Sequence, residues 1–289
     1  MQLGLWCMNV GTCGDPEVAV RVARTAEAAG FESLWTGEHT VLPHPRPDGY
    51  PAPPDLPWLD SVAALTLLAT ATERVRIACG TMEVPLHHPV RLAKQLASVD
   101  VISGGRLIAG LGLGNLDVEF AAFGVDMAER GLRMDEGLDA LHELWTSDLP
   151  QYTGQTVSFS GIDARPRPVQ PGGPPIVLGG GSTARARRRI IERAHGWYLF
   201  GTDLEDTAAS LAAIAQEQEE LERPPALGPV EVTVTPPGPI DASTLQRYEE
   251  LGVHRLVLLP RPDAPPEQRF EPVPEDRILD TIEGAAALL

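Results

Sequence analysis

The run Gly179-Gly180-Gly181-Ser182-Thr183 sets three residues without a Cβ directly before two hydroxyls and an arginine-rich, helix-forming segment. Glycine reaches φ > 0 and lets the backbone come close to a ligand. Hydroxyls and amides at a helix start bind anions. Phosphate binding is one reading of this run; a tight strand-to-helix turn with an ordinary serine cap is the other. Arg185, at the start of the helical pattern, could reach the same anion. Arg187, Arg188, Arg189 and Arg193 read instead as a solvated face paired with Glu192 and neighbouring acids.

Three further segments carry reactive or ligand-shaping types. Glu38 and His39 end an apolar run, where a side chain can donate a hydrogen bond or move a proton; a structural histidine competes with that reading. The stretch GLGLGN (110–115) has more glycine than a strand interior tolerates without loss. Gly112 and Gly114 fit a flat ligand lying against backbone, or else close packing. In CGTMEVPLHHP (79–89), Pro89 starts a helix, and His87 and His88 read as exposed turn residues. Glu38, His39, His44, His87 and His88 show no HExxH or related spacing, so no metal site is expected. A serine-hydrolase elbow, GxSxG, is absent from the sequence.

These segments need a scaffold that brings them together. Short apolar runs alternate with helical patterns: strands at about 3–8, 33–39, 74–81, 106–114, 175–180, 196–201, 230–235 and 255–260. Helices are expected over 15–30, 58–72, 89–103, 128–146, the arginine-rich segment from 184, 203–221, 241–252 and the C-terminal stretch. A proline-rich loop (42–57) and a β-type excursion (150–172) interrupt the alternation. Strands this apolar are buried on both faces, as in a parallel sheet, and eight strand-helix units point to a TIM (β/α)8 barrel. An open doubly wound sheet would carry its glycine fingerprint after the first strand, where CMNVGTCGDP lacks it. With no linker or composition break, residues 1–289 read as a single domain. Barrels build their sites from the loops after the strands, and the segments above fall there.

Composition narrows the function. Forty acids against 23 bases give a net charge of −17, which argues against a nucleic-acid or anionic-membrane surface. No apolar window of about 18 residues occurs, so no membrane span is expected. The N-terminal residues lack a basic region and cleavage site, so no signal peptide is expected either. Cys7, Cys13 and Cys79 suit reduced thiols in a cytoplasm better than a disulfide framework.

Several motifs in order, SLWTGEH, CGTMEVPLHHPVRLAKQLASVDVISGGRLIAGLGLGN, FAAFGVDMAERGLRMDE and PPIVLGGGSTARARRR, resemble the luciferase-like monooxygenase superfamily. They are most similar to its coenzyme F420-dependent oxidoreductases, over about residues 1–200. The resemblance implies a deazaflavin, or alternatively FMN, at the C-terminal mouth of the barrel. Its phosphate would lie on Gly179, Gly180, Gly181, Ser182 and Thr183, with Arg185 nearby. A cis peptide at Gly80–Met82, placed at Thr81–Met82, would back the ring, and Gly112 and Gly114 would line it. His39 matches a ring-proximal histidine and Glu38 the acid beside it. Asn115 stands where some relatives carry a catalytic carboxylate; it can orient a substrate but cannot give up a proton. Within the AHGW motif, His195 reads as structural. Substrate contacts fall to Trp6, His44, Tyr50 and Trp58, the same aromatics being candidates to pack a lid. An F420-dependent hydride transfer to or from a C=C, C=N or C=O group of a small molecule is the implied activity. The motifs and an arginine-rich, lysine-poor composition favour it over an FMN monooxygenase or a cofactor-less binding relative. A homodimer is the expected assembly.

Overall fold

Each apolar run becomes a strand, and consecutive runs pair in parallel. In chain order the strands are β1 (Gln2–Leu5), β2 (Ser33–Thr36), β3 (Arg76–Cys79), β4 (Met82–Glu83), β5 (Leu107–Gly112), β6 (Tyr152–Thr153), β7 (Ser158–Phe159), β8 (Ile176–Gly179), β9 (Gly196–Phe200), β10 (Glu231–Thr235) and β11 (Arg255–Leu258). The computed structural model describes residues 1–181, 183–261 and 263–288. Eight of the strands, β1, β2, β3, β5, β8, β9, β10 and β11, form a closed parallel cylinder. Two pairings close it: β3 against β5, with Ile77 opposite Leu107, and β1 against β11, with Leu3 opposite Leu256. This is the eight-stranded barrel the alternation predicts.

Around it lie α1 (Pro16–Ala28), α2 (Ser61–Ala71), α3 (Pro89–Ser103), α4 (Asp117–Phe123), α5 (Arg130–Thr146), α6 (Ala184–Arg193), α7 (Leu204–Glu220), α8 (Ala242–Glu250) and α9 (Glu275–Ala286). Their ends follow local chemistry. Asp15 accepts from the Glu17 and Val18 amides to start α1, and Gly104, at φ +65°, ends α3 in the left-handed conformation that glycine favours. The seven-residue α4 is the one helix absent from the periodicity reading. Among the described residues, no helix is long and apolar enough to cross a membrane.

Strand periodicity divides the core in two. Trp35, Ala78, Ile108, Val177, Tyr198 and Val257 face inward and fill the cylinder. Their neighbours along each strand, among them Leu34, Ile77, Leu107, Leu178 and Leu256, pack outward under the helices. At the lower end Arg255 turns inward and is almost wholly buried. It is compensated by Glu32 at 2.6 and 3.0 Å and by Thr233 Oγ1 at 3.0 Å. Arg255 and these partners fill the lower end of the cylinder.

Buried acids pin the excursion between α5 and β8. Glu136 accepts from the amides of Gln155 at 2.6 Å and Thr156 at 2.8 Å, fixing the β6–β7 hairpin. Asp100 accepts from Val169 and Gln170.

Candidate functional site

At the C-terminal mouth a cavity of about 940 Å³ is lined by the ends of β2, β3, β5, β8 and β9. One side of its lining is glycine, at Gly112, Gly114, Gly179, Gly180 and Gly181, while side chains such as His39, Tyr50 and Trp58 border the rest. A Cβ on Gly112 would sit 2.2 Å from Thr81 Oγ1, and one on Gly179 would sit 2.8 Å from Thr81 Cγ2. Thr81 thus fills the gap between the two strand ends. Gly180, at φ +91°, meets nothing within 4 Å of where a Cβ would stand, so the chain is bare toward the cavity there. Gly181, at φ +118°, is pressed against Trp197, whose Nε1 donates to the Gly180 carbonyl. Thr183 follows as the α6 N-cap, accepting from Ala186 N–H at 3.2 Å. Ser182 lies outside the described residues.

The arginines of α6 pair with neighbouring acids, as expected, but the face is solvated only in part. Arg188 pairs with Glu192 at 2.8 Å, as the spacing predicts. Arg189, in contrast, is buried, and it shares Asp135 of α5 with Arg185 at 2.5 and 3.1 Å. Arg187 reaches Glu217 of α7 and Arg193 reaches Asp139. Burial raises the Asp135 pKa, but Arg189 and then Arg185 outweigh it and hold the carboxyl below its ordinary value. These pairs lock the start of α6, and the glycine turn before it, against α5.

The opposite side of the mouth is set by Asn9. Its side chain donates to the carbonyls of Gly37 at 2.8 Å and Leu59 at 2.7 Å and accepts from Gly37 N–H at 2.9 Å. Gly37 leads into Glu38 and His39. His39 lines the cavity, with its ring edge-on to Trp58 at 4.9 Å.

The carboxylate hydrogen-bonded to His39 is that of Glu119, not that of the adjacent Glu38. Glu38 also borders the cavity; its carboxylate pairs with His87 Nε2 at 3.0 Å and accepts from Glu83 N–H. Burial disfavours charge on His87, yet Glu38 overrides it and holds the imidazole pKa above its ordinary value. His87 is accordingly an anchor for the turn after β4 and not an exposed turn residue. The partner of His39 is Glu119 of α4, fully buried, with Oε2 2.8 Å from Nδ1. The Thr40 and Val41 amides donate to its other oxygen. Glu83 of β4 completes the group, its Oε1 3.9 Å from Nδ1. Neither Glu83 nor Glu119 was singled out by sequence: one sits in a two-residue strand, the other in the unforeseen helix.

Asn115, Tyr50, Trp58, Trp6, Thr81, Gly112, Gly114, Thr183 and Arg185 all border the cavity. Met82 does not; it is buried in the outer core. His44 is exposed and stands apart from the cavity lining, carried outward by the proline-rich loop. The non-prolyl cis bond is Gly80–Thr81, one bond earlier than expected. His195 Nδ1 accepts from Ile176 N–H at 3.1 Å, in keeping with a structural role. Phe200 and Phe270, unmarked in the sequence, complete an aromatic wall with Trp6 at centroid distances of 5.6 and 4.9 Å. Two residues of the lining hold buried polar atoms without partners, Trp6 Nε1 and Glu83 Oε2.

A closed parallel (β/α)8 barrel thus carries, at its C-terminal mouth, a cavity bordered by glycines on one side and by His39 and Glu83 on another. The chain belongs to the luciferase-like monooxygenase family, whose model matches residues 1–260. It is 31% identical over 250 residues to the uncharacterized protein Rv0953c of Mycobacterium tuberculosis, covering 83% of this chain and 86% of that one. The oxygenase component of the flavin-dependent trigonelline monooxygenase of Acinetobacter baylyi is 31% identical over 159 residues, 54% of this chain and 41% of its own. The fold is shared with the coenzyme F420-dependent tetrahydromethanopterin reductase of Methanopyrus kandleri, at a TM-score of 0.73 and 16% identity, over 98% of this chain and 97% of that one. Deazaflavin and flavin enzymes therefore both occur among its neighbours.

Proposed function

We propose that the protein is an F420-dependent oxidoreductase that moves a hydride between the deazaflavin and a C=C, C=N or C=O group of a small organic substrate. The observation that carries this reading is the pairing, across one cavity, of a bare glycine wall with a buried His-Glu-Glu cluster. The cavity fits the cofactor on its own terms. Gly180 leaves a cradle no Cβ fills, the first-turn amides of α6 face an anion by helix geometry, and Trp6 Nε1 is a buried donor without a partner.

In this reading Gly179, Gly180, Gly181 and the Thr183-capped start of α6 hold the phosphate, with Arg185 adding positive charge. Thr81, between Gly112 and Gly179, supports the ring plane. The deazaflavin, when bound, supplies the two-electron hydride chemistry. His39, oriented by Glu119 through Nδ1, exchanges a proton with the substrate at Nε2. Asn115 and Tyr50 orient the substrate, and the wall of Trp6, Trp58, Phe200 and Phe270 excludes water. Glu38, spent on His87, takes no part in proton transfer. The protein is taken to act as a homodimer in the cytoplasm, and light scattering counts the subunits.

A second reading, an FMN-dependent monooxygenase, is favoured by the likeness to the trigonelline enzyme. Fluorescence titration with F420 and with FMN separates the two. Saturable F420 binding with weak or no FMN binding is expected. Preferential FMN binding, with oxygen uptake on reduction, replaces this reading by the second. Binding of neither leaves a cofactor-less ligand-binding relative.

A further inference from the structure

Glu83 shares His39 with Glu119 at the longer distance, 3.9 Å against 2.8 Å, and its Oε2 has no hydrogen-bond partner. It is 5% exposed, and Glu119 is 0% exposed. Ligand-type atoms of His39, Glu83 and Glu119 all lie within 4.8 Å of one another. Glu119 has partners on both oxygens: Oε2 lies 2.8 Å from His39 Nδ1, and the Thr40 and Val41 amides donate to Oε1. Glu83 has no such donors, and its Oε2 is unpartnered. That oxygen lies 3.1 Å from where a Cβ of Gly114 would stand, beside the position that Asn115 occupies. A second bare carboxylate here would be buried, unsolvated and next to a like charge, which is costly.

We propose that Glu83 is the proton-holding residue of this site, shared with Glu119 and acting through it on His39. The proposal rests on the reading that His39 is the group exchanging a proton with substrate. Burial, then the charge of Glu119, then that of Glu38, push the Glu83 pKa up to about 9. The groups facing it are Glu38 and His39 from the loop after β2, Glu119 from α4, Tyr50 from the proline-rich loop, and Cys79 of β3, whose thiol is pushed up by burial and then by Glu38. Tyr50 is itself pushed up to about 12 by burial and by Glu119 and Glu83, and so stays neutral. At neutral pH the acid pair holds one proton. With the single His39 proton on Nε2 and Nδ1 unprotonated, the proton of the pair passes from Glu83 to the Glu119 Oε2 that faces Nδ1; as Nε2 gives up its proton, Nδ1 takes up that one. The imidazole then stays neutral, and the pair carries a second negative charge until water at the mouth restores it. This gives the site a proton source that Asn115 cannot provide. Glu83 acts here as a positioning and storage group, because substrate contact falls to His39.

Infrared spectroscopy of the cofactor-free protein tests this across a pH series from about 6 to 10. The expected result is a carboxylic-acid C=O band that persists at pH 7.5, disappears near pH 9, and is missing from Glu83→Gln. In Glu119→Gln the band should titrate at lower pH, because the like charge is gone. The His39 ring signals in NMR should move with the same transition in the wild type and lose that step in Glu83→Gln. A wild type without the band at pH 7.5 overturns the proposal, even if Glu83→Gln fails to fold. So does a band unchanged in a folded Glu83→Gln. Neither readout uses F420 or FMN, so failure of cofactor binding leaves this result intact and counts against the cofactor reading alone.

Discussion

Gly180 and Gly181 are adjacent, both have positive φ, and the geometry assigns them opposite sensitivities. A Cβ on Gly181 would meet the Trp197 indole at 2.4 to 2.6 Å, and Trp197 is fully buried, so the ring cannot swing aside. Gly181→Ala then incurs backbone strain of about 1–3 kcal/mol at φ +118° and overpacking of about 1–3 kcal/mol. The sum is about 4 kcal/mol of lost stability. A Cβ on Gly180 meets nothing, so Gly180→Ala costs only the strain, about 1–2 kcal/mol. Its methyl would instead project into the cradle and weaken cofactor binding. Urea unfolding of both variants, read as the shift in midpoint at constant slope, measures the difference, and fluorescence titration of Gly180→Ala measures the affinity. Equal stability losses would refute the packing argument. Unchanged affinity in Gly180→Ala would refute the cradle.

Three further outcomes follow from the same reasoning. A Glu83 pKa raised in the fold means the native state keeps a proton that the unfolded chain releases. Its contribution is present below the unfolded value and is lost as pH rises toward about 9. Wild-type stability should therefore fall against that of Glu83→Gln by about 1.4 kcal/mol per pH unit between pH 6 and 8, and urea unfolding at three pH values reads it; a pH-independent difference refutes it. Asp135→Asn removes the partner of buried Arg189 and of Arg185 and should cost about 3 kcal/mol, measured by the same unfolding assay. Asn9→Ala frees Gly37 from two of its hydrogen bonds and should cost about 2 kcal/mol. It should also broaden the His39 NMR signals as the loop after β2 loosens.

The barrel was legible because its strands are apolar on both faces and its helices are punctuated by Asp15, Pro89 and Gly104. The glycine wall was legible too, since its glycines recur at strand ends and nowhere gain from being inside a strand. The proton cluster was not. Glu119 sits in a seven-residue helix with no side-chain cap at its start, too short for periodicity to mark, and an isolated acid in a loop looks like any solvated one. Glu38 and Glu83 are both acids at strand ends, and only three-dimensional pairing shows that His87 claims the first and leaves Oε2 of the second unpartnered. Arg189 misled for a related reason. Within a run of arginines nothing local distinguishes the one whose helical face meets Asp135 from those that meet water. His44 shows the converse, a histidine near a candidate site in sequence that its proline-rich loop carries away from it.

The account stands on backbone amides gripping an anion at the open end of the cylinder. A structure of the protein soaked with F420 examines that directly. The account predicts phosphate density within hydrogen-bond distance of the Gly180, Gly181 and Thr183 amides, with the ring lying over Thr81 and one face toward His39. Density for the ring elsewhere, or a phosphate bound away from that turn, would contradict it.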